Sequence, residues 1–391
     1  MANAKRIILF DDVFFNIANS GIARVWRSIL TELSSSDLLE SRNLKLIILN
    51  RSGALNDLNF ESVLFPQYNF SHPAMDREIL SKVCMNYEVD LFVSSYYTFA
   101  LGRPSLMTVY DLIPEVFDFG RISRGWLERE LAIMHAAAYV VISVSTKEDL
   151  RKYYPFIEPD SISVAHPGVD TSVFYRRSEQ AIRQFKIRHN LRDFLVFVGS
   201  RGHENAYKNG TLLFQTLRKG PISDLDIVVV GGEKLSSEEI ETCNEIGLKL
   251  LRLELDDNNL AQCLSSAEVL LYPSLYEGFG LPPLEALAVG TPIITTNSSS
   301  LPEATGQLSL LINGRDSDEV REKVLQALSP AWKEKIRKEG PAWAQPFTWR
   351  NMAEDMVDAW AKCLDRDPTA LTKEVDAFLT TYTQDVKNLQ I

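Results

Sequence analysis

Apolar residues in this chain come in short, near-continuous runs, and stretches of helical periodicity separate them. RIILFDD (6–12), LKLIILN (44–50), DLFVSS (90–95), SLMTVYD (105–111) and YVVISVS (139–145) read as strands. Between the first two, GIARVWRSILTELSSS sets Ile22, Val25, Trp26, Ile29, Leu30 and Leu33 on one helical face, the i, i+3, i+4, i+7 stripe of an amphipathic helix. Strands this uniformly rich in Val, Ile and Leu belong to a parallel sheet covered on both faces. STKE, Ser145–Glu148, reads as a capping box opening the helix KEDLRKYYP. ISVAHPGVD (162–170) closes this half.

The pattern restarts after a polar stretch. TSVFYRRSEQAIRQFKIRHN (171–190) has no strong periodicity and reads as an interdomain linker. FLVFVGS, DIVVVGG, KLLRLEL, VLLYPS, TPIITT and SLLIN are strands of the second half, alternating with helices after Lys208, in SSEEIETCNEIG, NNLAQCLSSA, from about Pro282, and in DSDEVREKVLQALS. Repeated βαβ alternation predicts an open parallel sheet. The expected fold class is therefore α/β, with two Rossmann-like, doubly wound parallel-sheet domains facing each other across a cleft. Their boundaries are expected at 1–180 and 190–360, and the C-terminal helix of about 360–391 is expected to pack back on the first. A ligand belongs at the carboxyl ends of the strands.

Length agrees with this division, since 391 residues exceed one ordinary core and suit two domains of roughly 150–200 residues each. The net charge of −11 is uneven: 22 Lys+Arg face 22 Asp+Glu through Arg192, and 19 face 30 from Asp193 onward. An acidic second half excludes a nucleic-acid footprint there, so a bound polyphosphate needs a local basic site. The longest apolar runs are only strand-length, too short for a transmembrane span, and the N-terminus does not read as a signal peptide. Cys84, Cys243, Cys263 and Cys363 form no CxxC pair and read as reduced thiols of a cytoplasmic protein. There is no HExxH, no acidic pair after a strand and no Cys/His cluster, so no metal site and no cofactor are expected.

One stretch carries more chemistry than any other, YPSLYEGFGLPPLEALAVGTP (272–292). Two glycines within three residues make YEGFG a loop. Pro282 and Pro283 suit the first turn of a helix, and Gly290 suits its end. The amides of Gly278, Phe279, Gly280 and Leu281 then lie at a strand-to-helix turn, a ready anion site. Glu277 opens the loop, and Glu285 is expected in the helix's first turn. Carboxylates flanking an anion cradle suit a ligand with vicinal hydroxyls on either side of a phosphate, and a plain helix cap is the bland alternative for Glu285. Earlier, FVGSRGHENAYKNG sets Arg201 and Lys208 after a strand, an Arg fork and a Lys point charge of the kind a diphosphate requires. In TVYDLIPE, Asp111 lies at a strand's carboxyl end. His166 follows another strand, while His135 reads as core and His203 as loop.

These motifs together resemble the retaining, nucleotide-sugar-dependent glycosyltransferases of family 4, which have the GT-B fold. EGFGLPPLE resembles their E-x7-E motif, SSSLPEATG the segment after it, FVGSRGHENAYKNG their G-x-R…K-N phosphate stretch from Gly199, and TVYDLIPE their H-D-x-I-P segment. SGIARVW resembles their Gly-rich first turn, with Gly21 kept and Ser20 in place of the other glycine. Tyr110 stands where the family has His, and the phosphate stretch is longer than usual by about the residues ENA. The resemblance implies that Arg201 and Lys208 bind the diphosphate and stabilise it as leaving group. It implies that Glu285 binds the ribose, that Glu277 and the Phe279, Gly280 and Leu281 amides hold sugar and diphosphate, that Asp111 is a catalytic residue of the first half, and that Tyr110, His166 and Gly21 line the site. Transfer would be metal-independent, from a donor such as GDP-mannose to a saccharide or lipid-linked saccharide in cell-surface polysaccharide synthesis. A peripheral contact at the inner face of the membrane is a further expectation. A phosphorylase- or epimerase-like relative and a non-catalytic nucleotide-sugar-binding partner remain the alternatives.

Overall fold

The computed structural model describes residues 4–18, 21–69, 73–118, 124–202 and 207–366. The chain divides into two compact units, one reaching Pro167 and resumed at Trp349, the other Gly168–Thr348. The first unit holds β1 (Arg6–Asp11), β2 (Leu44–Asn50), β3 (Glu61–Leu64), β4 (Leu91–Ser94), β5 (Ser105–Val109), β6 (Ala138–Val141) and β7 (Ile162–Val164). They form one sheet in the order β3-β2-β1-β4-β5-β6-β7, parallel throughout. The second unit holds β8 (Phe194–Val198), β9 (Asp226–Val230), β10 (Leu250–Leu253), β11 (Val269–Tyr272), β12 (Ile293–Thr296) and β13 (Leu310–Ile312). Their order is β10-β9-β8-β11-β12-β13, again all parallel. Both sheets are the doubly wound, Rossmann-like arrangement the alternation predicts.

Each sheet reverses its winding beside its first strand, between β1 and β4 and between β8 and β11. Neighbouring crossovers leave in opposite directions there and open a crevice at the strands' carboxyl ends. The β9 and β11 runs are buried along their whole length, which is why they read as unbroken apolar stretches. Helix Gly21–Ser35 buries Ala23, Val25, Trp26, Ile29, Leu30 and Leu33, almost the predicted stripe.

Three elements differ from the sequence expectation. The stretch taken as a linker contains a helix, Glu179–His189, with Ser178 as N-cap and only Ile182 and Phe185 buried. Two apolar contacts in three turns leave almost no periodic signal. Helix Trp349–Asp365 groups with the first unit, not with residues 190–360. It packs on helix Gly21–Ser35, and Arg6 and Arg42 pair with its Asp365 and Asp358. Helix Val144–Tyr153 is capped by Ser143, which accepts from the Thr146 amide, so the cap lies two residues before the expected Ser145. Ser20, His203 and the tail beyond 366 lie outside the described residues. Among those described, no helix is long and apolar enough to cross a membrane, and all four cysteines are buried.

Two polar anchors fix the loops at these crevices. In the first unit, Arg51 follows β2 with its side chain fully buried between two carboxylates. Its Nε and Nη2 donate to Asp11 at 2.7 and 2.8 Å, and its Nη1 and Nη2 donate to Asp76 at 2.7 and 2.8 Å. Burial alone would lower the guanidinium's pKa, but Asp11 and Asp76 outweigh it and raise the value. In the second unit, Glu233 ties the loop after β9 to the loop after β8. Its carboxylate accepts from the amides of Arg201 and Gly202 at 2.7 and 3.0 Å and from the Ser200 hydroxyl. Partial burial pushes this carboxyl up, yet the Ser200 hydroxyl and the amides prevail and hold it at about 2.

Arg51→Met should strand Asp11 and Asp76 without a counter-charge and lower the stability of the first unit by about 3–5 kcal/mol. Urea unfolding measures this, and a loss below about 1 kcal/mol would show the clamp to be dispensable. For Glu233 the folded-state pKa is depressed, so its contribution is complete above the ordinary glutamate value and disappears as pH falls toward about 2. The melting-temperature gap between the protein and Glu233→Gln should therefore hold steady from pH 8 to 5 and shrink below that. A gap that widens on acidification contradicts the assignment.

Candidate functional site

The crevice of the second unit brings together residues some seventy positions apart. Lys208, after β8, donates from Nζ to both carboxylate oxygens of Glu277, at 2.7 and 2.8 Å, and to the Tyr272 hydroxyl at 3.2 Å. The pair is shielded, with the Lys208 side chain 20% and the Glu277 side chain 10% exposed. Tyr272 ends β11. Burial, and then the Glu277 charge, push its phenol far above the usual range, so it stays protonated beside the pair. The Lys208 stem passes 3.9 Å from where a Cβ on Gly199 would stand, and Gly199 has a φ of +128°, a backbone state that a side chain would strain.

The loop from Glu277 to Gly280 is held from behind. The Glu277 amide donates to Ser299 Oγ at 2.8 Å, and Ser300 Oγ lies 2.8 Å from the Glu277 carbonyl and 2.7 Å from that of Phe279. Asn209, beside Lys208, donates to the carbonyls of Pro273 and Gly314 at 3.1 and 2.7 Å, joining the loops after β8, β11 and β13. Phe279 is buried against Phe347. Gly280, with φ +117°, is the N-cap of helix Leu281–Ala288, and Pro282 opens its first turn. A Cβ on Gly280 would come within 3.0 Å of Leu301. Gly290, at φ +74°, follows the helix end as expected. These serines, Asn209 and Tyr272 were visible only as unweighted letters within the motifs. Their roles depend on which loops meet.

Two placements depart from the sequence expectation. Glu285 lies at the fifth position of its helix, not in the first turn, and is 1% exposed. The helix starts at Leu281 because Gly280 takes the left-handed conformation before it, so Glu285 is no dipole-pairing cap. Gly278 and Phe279 remain with Glu277 in the same loop. Arg201 is turned toward Glu239, to which its Nε donates at 2.8 Å, and its Nη2 donates to the Glu233 carbonyl at 2.6 Å. It does not pair with Glu277. The cavity of about 420 Å³ beside it sets, among the described residues, Arg201, Arg218 and Lys234 against Glu233, Glu238 and Glu239.

The first-unit candidates scatter. Asp111 Oδ1 accepts from the Ile113 amide at 3.1 Å, closing the turn after β5. Tyr110 is 9% exposed, and its hydroxyl has no well-formed hydrogen bond among the described residues. Burial drives its pKa up, because the side chain faces the core beside Trp26. His166 lies near Asp355 of helix Trp349–Asp365. His135 stacks on Phe99 in the core. Gly21 starts its helix, and a Cβ there would meet nothing within 4 Å, so packing does not demand glycine. At the β1/β4 crevice the structure offers something different, a cavity of about 200 Å³ lined by Tyr68, Tyr96, Tyr97, Thr98 and Glu128. Tyr96 and Tyr97 stack at 3.7 Å.

Residues 178–341 match the family model described as glycosyl transferases group 1. Over 290 residues the chain is 26% identical to the alpha-maltose-1-phosphate synthase of Mycolicibacterium smegmatis, covering 67% of this chain and 73% of that protein. It is 30% identical over 219 residues to the MMP alpha-(1->4)-mannosyltransferase of Mycolicibacterium hassiacum, covering 54% of this chain and half of that protein's own length. The solved structure of HepE from Anabaena in complex with UDP and glucose matches with a TM-score of 0.69, over 91% of this chain and all of that one, at 16% identity. That last likeness is one of fold. The matched family segment takes in most of the second unit, the fold is GT-B, and the protein is a glycosyltransferase whose second unit is similar to those of group 1.

Proposed function

We propose that this protein is a retaining hexosyltransferase that uses a nucleoside diphosphate sugar, with GDP-mannose the leading donor, and extends a saccharide or lipid-linked saccharide acceptor. The observation that carries the reading is the Lys208–Glu277–Tyr272 cluster at the β8/β11 crevice. It sets a cation and a hydroxyl-binding carboxylate side by side, where a doubly wound sheet binds ligands. Mannosyltransferases among the relatives support the sugar, and UDP and glucose in HepE support a nucleotide-sugar donor.

In this mechanism the diphosphate takes over Lys208, whose charge offsets the negative charge that grows as the glycosyl–phosphate bond breaks. Glu277, released from the lysine, accepts hydrogen bonds from sugar hydroxyls. The amides of Gly280 and Leu281 add the positive end of helix Leu281–Ala288. Glu285, buried in the second turn of that helix, is the carboxylate proposed to accept from the ribose hydroxyls. The acceptor hydroxyl attacks the face that the diphosphate leaves and gives its proton to a phosphate oxygen, so configuration is retained without an enzymic carboxylate nucleophile. Protein cations do the electrostatic work, and no metal is required. An acceptor sugar ring fits the tyrosine-lined cavity of the first unit, with the Glu128 carboxylate accepting from its hydroxyls.

A panel of nucleotide sugars, read by release of nucleoside diphosphate, tests the reading. At least one donor should be turned over, and a panel that is neither turned over nor able to raise the melting temperature rejects it. Lys208→Gln should lower kcat by about 10²–10³, the usual loss for one preorganised electrostatic group, with a smaller change in KM. Glu277→Ala should fall by a similar factor, and a Glu277→Ala variant that transfers normally would remove that residue from the mechanism.

A further inference from the structure

The second unit has a basic cavity at the opposite edge of its sheet. Ser265–Ala267 and Glu268 immediately precede β11 and Pro292 precedes β12, so the cavity lies at the strands' amino ends, away from Lys208 and Glu277. It is small, about 80 Å³, and Arg176, Lys186, Lys333 and Arg337 face Glu179 and Glu268 across it. Counting Asp193, which pairs with Lys186 just outside the cavity, four cations stand against three carboxylates and one positive charge is left in excess. This happens in a unit whose residues 168–348 carry 20 Lys+Arg against 24 Asp+Glu, a net −4.

The distribution of partners shows where the excess sits. Glu268 is fully used: Lys186 donates to one of its oxygens at 3.1 Å and Lys333 to the other at 2.5 Å. Lys186 also donates to Asp193 at 2.7 Å. Arg176 donates one Nη1 bond, at 3.3 Å, to the Ser265 carbonyl at the end of helix Asp257–Ser266. Its nearest carboxylate oxygen, on the well-exposed Glu179, is 3.7 Å away, beyond a good hydrogen bond. Arg337 has no hydrogen bond or ion pair among the described residues. Helix Pro330–Ala344 nevertheless comes close, because Gly290 takes φ +74° and a Cβ there would approach the Arg337 Cα to 3.1 Å. Burial, and then the Arg337 charge, lower the Arg176 pKa. The helix terminus explains the position of Arg176 but not a second arginine turned to the same space.

We propose that this cavity binds a phosphate group, with Arg176 and Arg337 as its two charged ligands and the Lys186–Glu268–Lys333 bridge as its rigid floor. Arginine is the side chain best suited to grip a tetrahedral oxyanion. The volume admits several waters, and so one such ion, but not a nucleotide. The donor site is elsewhere, and the inference does not rest on the proposed sugar chemistry. The same phosphate chemistry has two sources, the free ion or the headgroup of an anionic lipid.

Calorimetric titration with inorganic phosphate, at ionic strength kept constant with chloride, tests the site in the full chain. Saturable binding should weaken at least tenfold in Arg176→Gln/Arg337→Gln, recover in part in Arg176→Lys/Arg337→Lys, and survive in Lys208→Gln. Co-sedimentation with vesicles of phosphatidylcholine, with and without phosphatidylglycerol, forms the second arm. Retention only on the anionic vesicles, lost in the same double glutamine variant, supports the site and identifies the source as lipid. Absence of saturable binding in both arms, binding that the double glutamine variant leaves unchanged, or phosphate binding lost in Lys208→Gln overturns the proposal.

Discussion

The bond between Lys208 and Glu277 joins two loops that leave the second sheet at the point where its winding reverses. Every other feature of the candidate site is arranged around that link. Tyr272 supports the lysine's ammonium group, Ser299 and Ser300 fix the backbone that carries the carboxylate, and Asn209 ties three loops together. A partly buried ion pair gains little net stability once desolvation is counted. Its worth here is positional, since it keeps a cation and a carboxylate preorganised at one spot.

The two units solve the same problem with different cations. At the strand ends of the first unit, arginines are locked between acceptors: Arg51 by Asp11 and Asp76, Arg77 by Glu128, and Arg129 by Glu115, the Asp111 carbonyl and the Tyr97 hydroxyl. A planar fork with several fixed donors makes a rigid strut. At the strand ends of the second unit the central cation is a lysine, a point charge on a flexible stem that can exchange one anionic partner for another. Arg201, the one arginine expected to bind ligand there, is itself held as a strut by Glu239 and the 231–233 backbone. The division suits a scaffold in one place and a site of exchange in the other.

Much of this was legible in the chain. The unbroken Val/Ile/Leu runs predicted parallel strands because such strands are buried on both faces. Gly280, Pro282 and Gly290 marked a loop and both ends of a helix because each has backbone preferences that few other residues share. Signals that depend on a single local contact were less readable. Ser143 and Ser145 are both competent caps, and only the turn geometry chose between them. The helix Glu179–His189 buries two apolar side chains, too few for a periodicity. Helix Trp349–Asp365 had a clear apolar face, but nothing in its own residues says which unit that face covers.

By itself, then, the sequence determined the class of the fold, the strand-to-helix turn at Glu277 and the presence of Arg201 and Lys208 near a strand end. Each of these is encoded by neighbours within about ten residues, through hydrophobic period and backbone restriction. Tertiary structure decided the pairings: that Lys208 meets Glu277 while Arg201 turns to Glu239, that Glu285 is interior, and that Tyr110 faces the core. The physical reason is that β8 and β11 become neighbours only when two βαβ halves wind in opposite directions. A partner across that seam is set by sheet order, which no local pattern records.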